Sequence, residues 1–366
     1  MKAVPEATEY PRTIGKDGKL KVTRKNDWTE GFYPGCLWYV YEYTNKEDWK
    51  KAAIKWTESL EPLKKMTNHH DIGFLMYCSF GNAYRLTGNE AYKDVLVESA
   101  RSLCTRFNEK TGCIKSWNYR KSWNGKDEWF YPVIIDNMMN LELLYFATKV
   151  TGDSVYAKVA NRHAETTAKN QFREDYSNYH VVNYDAETGE VLNQATCQGF
   201  SDNSAWARGQ AWAIYGYTMA YRETHRQDFL DMAVHTADFW LNHPNLPEDG
   251  IPYWDFNAGQ EDYVPDWNYD PEIFKVVPRD ASAAAIVASA FLELSGYVTD
   301  GKKYSAAAAH ILKSLSSPAY LAEPGTNCNF ILMHSVGSIP HGEEIDVPLI
   351  YADYYYLEAL MRYKNM

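Results

Sequence analysis

Residues 151–160 read TGDSVYAKVA, and the spacing inside this stretch recurs along the chain. A threonine is followed five residues later by an aromatic, and four residues after that by alanine or leucine. The five copies are Thr44–Trp49–Ala53, Thr87–Tyr92–Leu96, Thr151–Tyr156–Ala160, Thr224–Phe229–Ala233 and Thr299–Tyr304–Ala308. Turn formers fill the gap after most of the threonines: Asn45, Gly88, Gly152 and Asp300. The aromatic and the small residue stand four apart, so they share one helix face. Each copy therefore reads as a helix, a tight turn, and an antiparallel helix whose first turn packs an aromatic inward. The copies are roughly 43 to 75 residues apart, too irregular for a tight solenoid.

Apolar periodicity extends the pattern outward. It predicts helices near 35–44, 47–65, 71–86, 89–107, 131–149, 153–170, 206–223, 226–242, 279–297, 302–316 and 350–364, with short β-like pieces at 178–192 and 251–256. Antiparallel helix pairs without central strands define an all-α protein, and the pairing suggests an (α/α)6 barrel, a six-hairpin toroid. The 366 residues are expected to form one catalytic domain, with residues 1–34 an irregular N-terminal segment.

Composition narrows the function. The net charge of −11 argues against a nucleic-acid partner. No run of about 18 apolar residues offers a membrane span, and Met1 to Val22 lacks the apolar stretch of a signal peptide. The six cysteines form no CxxC pair, which disfavours a zinc site or a disulfide framework. Aromatics reach 15%, with 29 Tyr and 12 Trp. Such a content suits either a Tyr-rich helical core or stacking on sugar rings, and composition alone does not choose between them.

Three acids sit where helices start: Asp71 in NHHDIGF, Asp136 in VIIDNMMNLELL and Asp280 in PRDASAAAI. Each is open to a plain N-cap reading. Three together, beside Trp-rich loops, favour the other reading, in which Asp136 and Asp71 face a cavity. A carboxyl in an aromatic pocket has its pKa raised, which a general acid needs at neutral pH. In WARGQAW, Arg208 and Trp212 share a face, and with Gln198 upstream they make a clamp for a sugar carboxylate. His180, in a polar hairpin, is placed to meet ring hydroxyls. His69 and His70 lack further ligands at helix spacing, so no metal is expected. Walker A, GxGxxG and GxSxG patterns are absent.

WTEGFYPGCLW, HDIGF, IIDNMMNLELL, CQGFSDNSAWARGQAWAIYGY, PRDASAAAI and the terminal ADYYYLEAL together resemble the unsaturated glucuronyl hydrolases. More distantly they resemble the unsaturated rhamnogalacturonyl hydrolases. The resemblance implies an (α/α)6 barrel with no metal and no organic cofactor. It implies a substrate left by polysaccharide lyases, an oligosaccharide ending in a 4,5-unsaturated uronate, with glycosaminoglycan disaccharides foremost. It also implies Asp136 as acid/base, Asp71 as its essential partner, and His180, Gln198, Arg208 and Trp212 around the uronate. Trp28 and Ser204 resemble further pocket positions. Some relatives carry a Ser-x-x-Ser-x-Lys segment for substrate sulfate; here Ser335 and Ser338 are followed by Pro340, which implies an unsulfated preference. The resemblance also points to a bacterial periplasm ahead of the cytoplasm. Alternatives are a pectin-directed rhamnogalacturonyl hydrolase, a polysaccharide lyase, which the paired Asp disfavours, and a non-catalytic sugar-binding toroid.

Overall fold

A computed structural model describes residues 7–24 and 27–366. Twelve α-helical segments run along the chain: α1 (Phe32–Thr44), α2 (Glu47–Glu58), α3 (Ile72–Met76), α4 (Asn82–Thr87), α5 (Glu90–Cys104), α6 (Leu141–Thr151), α7 (Val155–Asn170), α8 (Ala207–Thr224), α9 (Gln227–Asn242), α10 (Ala281–Leu294), α11 (Gly301–Leu315) and α12 (Ile350–Lys364). A π turn over Tyr77–Gly81 joins α3 to α4, so these two act as one broken helix.

The threonine repeat marks the hairpin corners. Helices α1, α4, α6 and α8 end on Thr44, Thr87, Thr151 and Thr224, and each is followed by a left-handed residue: Asn45, Gly88, Gly152 or His225. That residue's N–H returns to the carbonyl four positions back, closing the helix end. Each threonine hydroxyl also donates to the carbonyl four residues earlier. The side chain thus occupies one of the last helical carbonyls and leaves the chain ready to reverse. The fifth copy differs: α10 stops at Leu294, and Thr299 lies in a longer turn. Tyr92, Tyr156, Phe229 and Tyr304, the aromatics of the next helices, are buried as expected, and Trp49 is half-buried.

Packing arranges the helices in two rings, the (α/α)6 toroid. Around the inner ring, α1 meets α12, α12 meets α10, α10 meets α8, α8 meets α6 and its leading turn, and α3 closes the circuit toward α1 through the π turn. Helices α2, α5, α7, α9 and α11 lie outside, so the described residues hold six inner and five outer helices. The inner helices are apolar nearly all round, as a doubly covered layer requires. Ala283, Ala284, Ala285, Ala288 and Ala290 of α10 have no exposed surface. Close approach is enforced at Gly73 of α3, where a Cβ would stand 2.5 Å from the Asn140 Cα. There the Phe74 N–H donates to Asn140 Oδ1 at 2.9 Å, tying the second hairpin to the third.

Three expectations change. Residues 131–149 are not one helix: β1 (Pro132–Ile134) leads into a 3-10 turn over Ile135–Asn140, and only then does α6 begin. The apolar run there is shared by a buried strand and a helix, which periodicity alone cannot separate. Strand β1 joins β2 (Val181–Tyr184) and β3 (Val191–Ala195) in an antiparallel sheet, so the hairpin read at 178–192 has a third strand. The N-terminal segment is also less irregular than expected, because Tyr10–Ile14 and Leu20–Thr23 pair as a two-stranded hairpin. Residues 1–6 and 25–26 of that segment lie outside the described residues.

Candidate active site

Two cavities mark the two ends of the inner ring. The larger, about 620 Å³, lies at the C-terminal ends of the inner helices. Most of its charges are already paired: Arg85 with Glu42, Arg222 with Glu142, Glu223 and Glu293, and Arg362 with Glu293 and Glu358. The smaller, about 270 Å³, lies at the N-terminal ends and is lined by Trp28, Asp71, Trp117, Arg120, Asp136, Gln198, Arg208, Tyr351 and residues of the 337–344 loop. Several buried polar atoms around it have no hydrogen-bond partner within the protein, among them Asp136 Oδ2, His180 Nε2, Trp212 Nε1, Arg208 Nε and Tyr351 Oη. Buried polar groups left unpaired are costly and ask for a reason. Their convergence makes the smaller cavity the chemical site.

Asp136 sits in the 3-10 turn that follows β1. It makes no capping hydrogen bond, so the N-cap reading does not describe it. Burial pushes its carboxyl up to about 7; nearby Arg208 opposes this and Asp71 adds to it. Strand β2 delivers His180 beside it, with Nε2 3.7 Å from Asp136 Oδ2. His180 Nδ1 accepts the backbone N–H groups of Cys197 and Gln198 at 3.0 and 3.2 Å. A nitrogen that accepts twice carries no proton, so the neutral ring presents Nε2–H toward Asp136. Burial, with Arg208 and Arg120 nearby, holds the imidazole well below its ordinary value.

Asp71 precedes α3 and likewise makes no side-chain cap. Its environment is the opposite of Asp136's. Burial pushes it up, but His70, His69 and Arg106 more than offset that, and the carboxylate lies below the usual range. His69 Nδ1 is 3.2 Å from Oδ2, and His70 Nε2 is 3.4 Å from Oδ1. His70 is anchored in turn, its backbone N–H donating to Ser116 O at 3.2 Å. Two carboxyls thus share one site with their protonation states driven apart, the arrangement of an acid with an anionic partner.

Asp280 does follow the N-cap reading: it accepts the Ser282 N–H at 3.0 Å at the start of α10. Its other oxygen meets Arg208 at 3.3 Å in a fully buried ion pair. Arg208 also donates to the carbonyls of Val336 and Gly337 and stacks over Trp206 at 4.4 Å. Nε–H and one Nη2 hydrogen are left over. Gln198 and Trp28 line the cavity, and Trp28 packs against Tyr351 with ring centroids 4.9 Å apart. Trp212 lies beneath, between Phe74 and Tyr355. Ser204 does not reach the cavity. Its hydroxyl lies 2.7 Å from Asp255 Oδ2 and 2.9 Å from Ser201 O, with one proton for the two acceptors, and accepts the Ser201 N–H at 3.0 Å, bracing the loop before α8.

Sequence reading did not place Arg12, Arg120, His341, Glu344 or Tyr351 at the site. Arg12 comes from the N-terminal hairpin and binds Asp27 and Glu344. The others come from loops and helix starts far apart in the chain, where no spacing links them.

Fold and site together define a carboxylate-pair glycoside hydrolase built on an (α/α)6 toroid. Comparison with known sequences agrees: the family model for Glycosyl Hydrolase Family 88 matches residues 5–245, and the chain belongs to that family. An unsaturated glucuronyl hydrolase of Formosa agariphila is 49% identical over 98% of this chain and 86% of its own length. An unsaturated chondroitin disaccharide hydrolase of Streptococcus agalactiae is 35% identical over 97% of this chain and 86% of its own. Among solved structures, an unsaturated glucuronyl hydrolase specific for heparin superposes with a TM-score of 0.92 at 47% identity, covering 99% of this chain and 92% of the other.

Proposed function

We propose that the chain is an unsaturated glucuronyl hydrolase that releases a 4,5-unsaturated uronic acid from lyase-generated glycosaminoglycan disaccharides, with Asp136 as the acid and Asp71 as its anionic partner. The observation that carries the assignment of roles is the divergence of the two carboxyls, one raised to about 7 and one held low. The substrate is an enol ether. Protonated Asp136 delivers its proton to C4, and a cation forms across C5 and the ring oxygen. Asp71, ionised throughout, stabilises that cation. Water adds at C5, its proton passing to the Asp136 carboxylate. The resulting hemiketal opens and expels the leaving sugar, so no nucleophile is needed at the anomeric carbon. His180 Nε2–H, 3.7 Å from Asp136 Oδ2, joins Gln198, Arg208 Nε and Trp212 Nε1 as a donor for the substrate.

The test is loss of the ultraviolet absorbance of the conjugated C4=C5 bond, with unsaturated chondroitin, hyaluronan and heparin disaccharides and with Asp136→Asn alongside. Decay with the native enzyme and none with the variant is expected. No decay on any glycosaminoglycan disaccharide would redirect the assignment to pectin-derived rhamnogalacturonan fragments. Failure there as well would favour a non-catalytic sugar-binding toroid. No helix of the described residues is long and apolar enough to cross a membrane. We assign the enzyme to the bacterial periplasm on family resemblance; cell fractionation with activity recovered only in the cytosol would reverse that.

A further inference from the structure

The cavity holds three arginines, and among the described residues only one of them has no carboxylate or carbonyl partner. Arg12 is bound to Asp27 and Glu344. Arg208 is bound to Asp280 and to two backbone carbonyls. Arg120 has no carboxylate partner among the described residues; Glu343, on the same cavity wall, makes no ion pair with it. An arginine that lines a cavity without a counter-charge is a site built for an incoming anion.

Arg120 is also held in place. It lies in a short hairpin, Arg120–Lys121 paired with Glu128–Trp129. Its guanidinium stacks over Trp117 at 5.0 Å and donates to His341 Nε2. An acceptor Nε2 puts the His341 proton on Nδ1, which faces Ser338 Oγ at 2.5 Å. Burial and Arg120 take His341 down to about 4, so the ring stays an acceptor at neutral pH and does not compete as a second cation. The relay Ser338–His341–Arg120 thus fixes one edge of a guanidinium that also lies against the Cys197 thiol and lines the cavity.

Position along the site sets which sugar this cation meets. Trp117 packs edge-on to His180, with centroids 6.1 Å apart, and His180 faces Asp136. Arg120 is therefore one indole ring away from His180 and the Asp136 carboxyl it faces. We propose that Arg120, positioned by His341 and Ser338, is a specificity-determining residue that binds a sulfate ester on the leaving sugar. This reverses the unsulfated preference read from Pro340: the position lacks a cation, and Arg120 brings one from a different strand. The inference rests on the glucuronyl hydrolase reading above and adds to it the chemistry of the leaving group.

The experiment uses pairs of unsaturated disaccharides identical except for one sulfate on the leaving hexosamine, at O6 or at the amino nitrogen. The readout is the ratio of kcat/KM, sulfated over unsulfated, within each enzyme form. For the native enzyme at least one pair is expected to give a ratio above one. Arg120→Gln should lower that ratio by about tenfold or more, as loss of a charge-assisted hydrogen bond implies. The fall should lie in KM, because the contact is remote from the reacting atoms. Arg120→Lys should recover part of it. A general folding defect lowers both members of a pair and leaves the ratio unmoved. A native ratio below one on every pair, or an unmoved ratio in Arg120→Gln, overturns the proposal while unsulfated turnover leaves the enzyme assignment intact. No turnover of either member on any pair removes both.

Discussion

Asp136→Asn separates what the carboxyl does for chemistry from what it costs the fold. Its pKa is carried from 3.8 to about 7 by burial. At about 1.4 kcal/mol per pH unit this corresponds to about 4 kcal/mol. The sign follows from proton counting. Below pH 3.8 both folded and unfolded forms hold the proton and nothing is lost. Between 3.8 and about 7 the folded state keeps a proton that the unfolded state releases, so stability falls as pH rises. Above about 7 the full cost is present. Asparagine cannot ionise and escapes it. Asp136→Asn should therefore unfold at nearly the native temperature at pH 4 and several degrees higher at pH 8, while losing about two to four decades of kcat. The native rate should fall about tenfold per pH unit above about 7, as the proton donor is lost. Melting curves at the two pH values, beside ultraviolet assays from pH 5 to 9, read both effects. If the variant gains no stability between pH 4 and pH 8 relative to the native protein, or the native rate is flat from pH 6 to 9, Asp136 is not held protonated and the assigned role collapses.

Three further outcomes follow from the packing. Asp280→Ala strands Arg208 in a fully buried site and should cost about 3–5 kcal/mol, seen as a large fall in Tm together with weakened substrate binding. Gly73→Ala forces a Cβ onto the Asn140 backbone and should destabilise by about 1–3 kcal/mol, with kcat falling more than KM rises because Asp71 lies two residues away. Thr151→Val removes the hydroxyl that donates to Ala147 O and accepts the Asp153 N–H; urea unfolding should show a loss of about 1 kcal/mol with activity unaltered.

The toroid was legible in the sequence because its corners are chemical. A threonine that occupies a terminal carbonyl, a left-handed residue after it and an inward aromatic are local requirements, and local requirements leave local patterns. The inner-helix starts were legible for the same reason, and they carry Asp71, Asp136 and Arg208. Where two structures satisfy one pattern, reading failed. Val133–Ile135 is apolar enough for a helix or a buried strand, and the partner that decides for the strand, Val181–Tyr184, lies almost fifty residues on. Ser204 stands in a motif rich in site residues, yet its direction is set by Asp255, which no spacing connects to it. The far wall of the cavity was invisible altogether. Arg12, Arg120 and His341 meet there only because hairpins at distant points of the chain fold over one end of the ring.

The shared direction of the inner helices also gives the molecule electrical poles. Six helix N-termini, each with the effect of about half a positive charge, converge on the smaller cavity. At the opposite poles four of the six helices, α4, α6, α8 and α12, carry a basic residue in the last turn: Arg85, Lys149, Arg222 and Arg362. A chain with a net charge of −11 thereby keeps an attractive mouth for a uronate, and the anion is guided to one end of the ring by backbone that no side-chain substitution can remove.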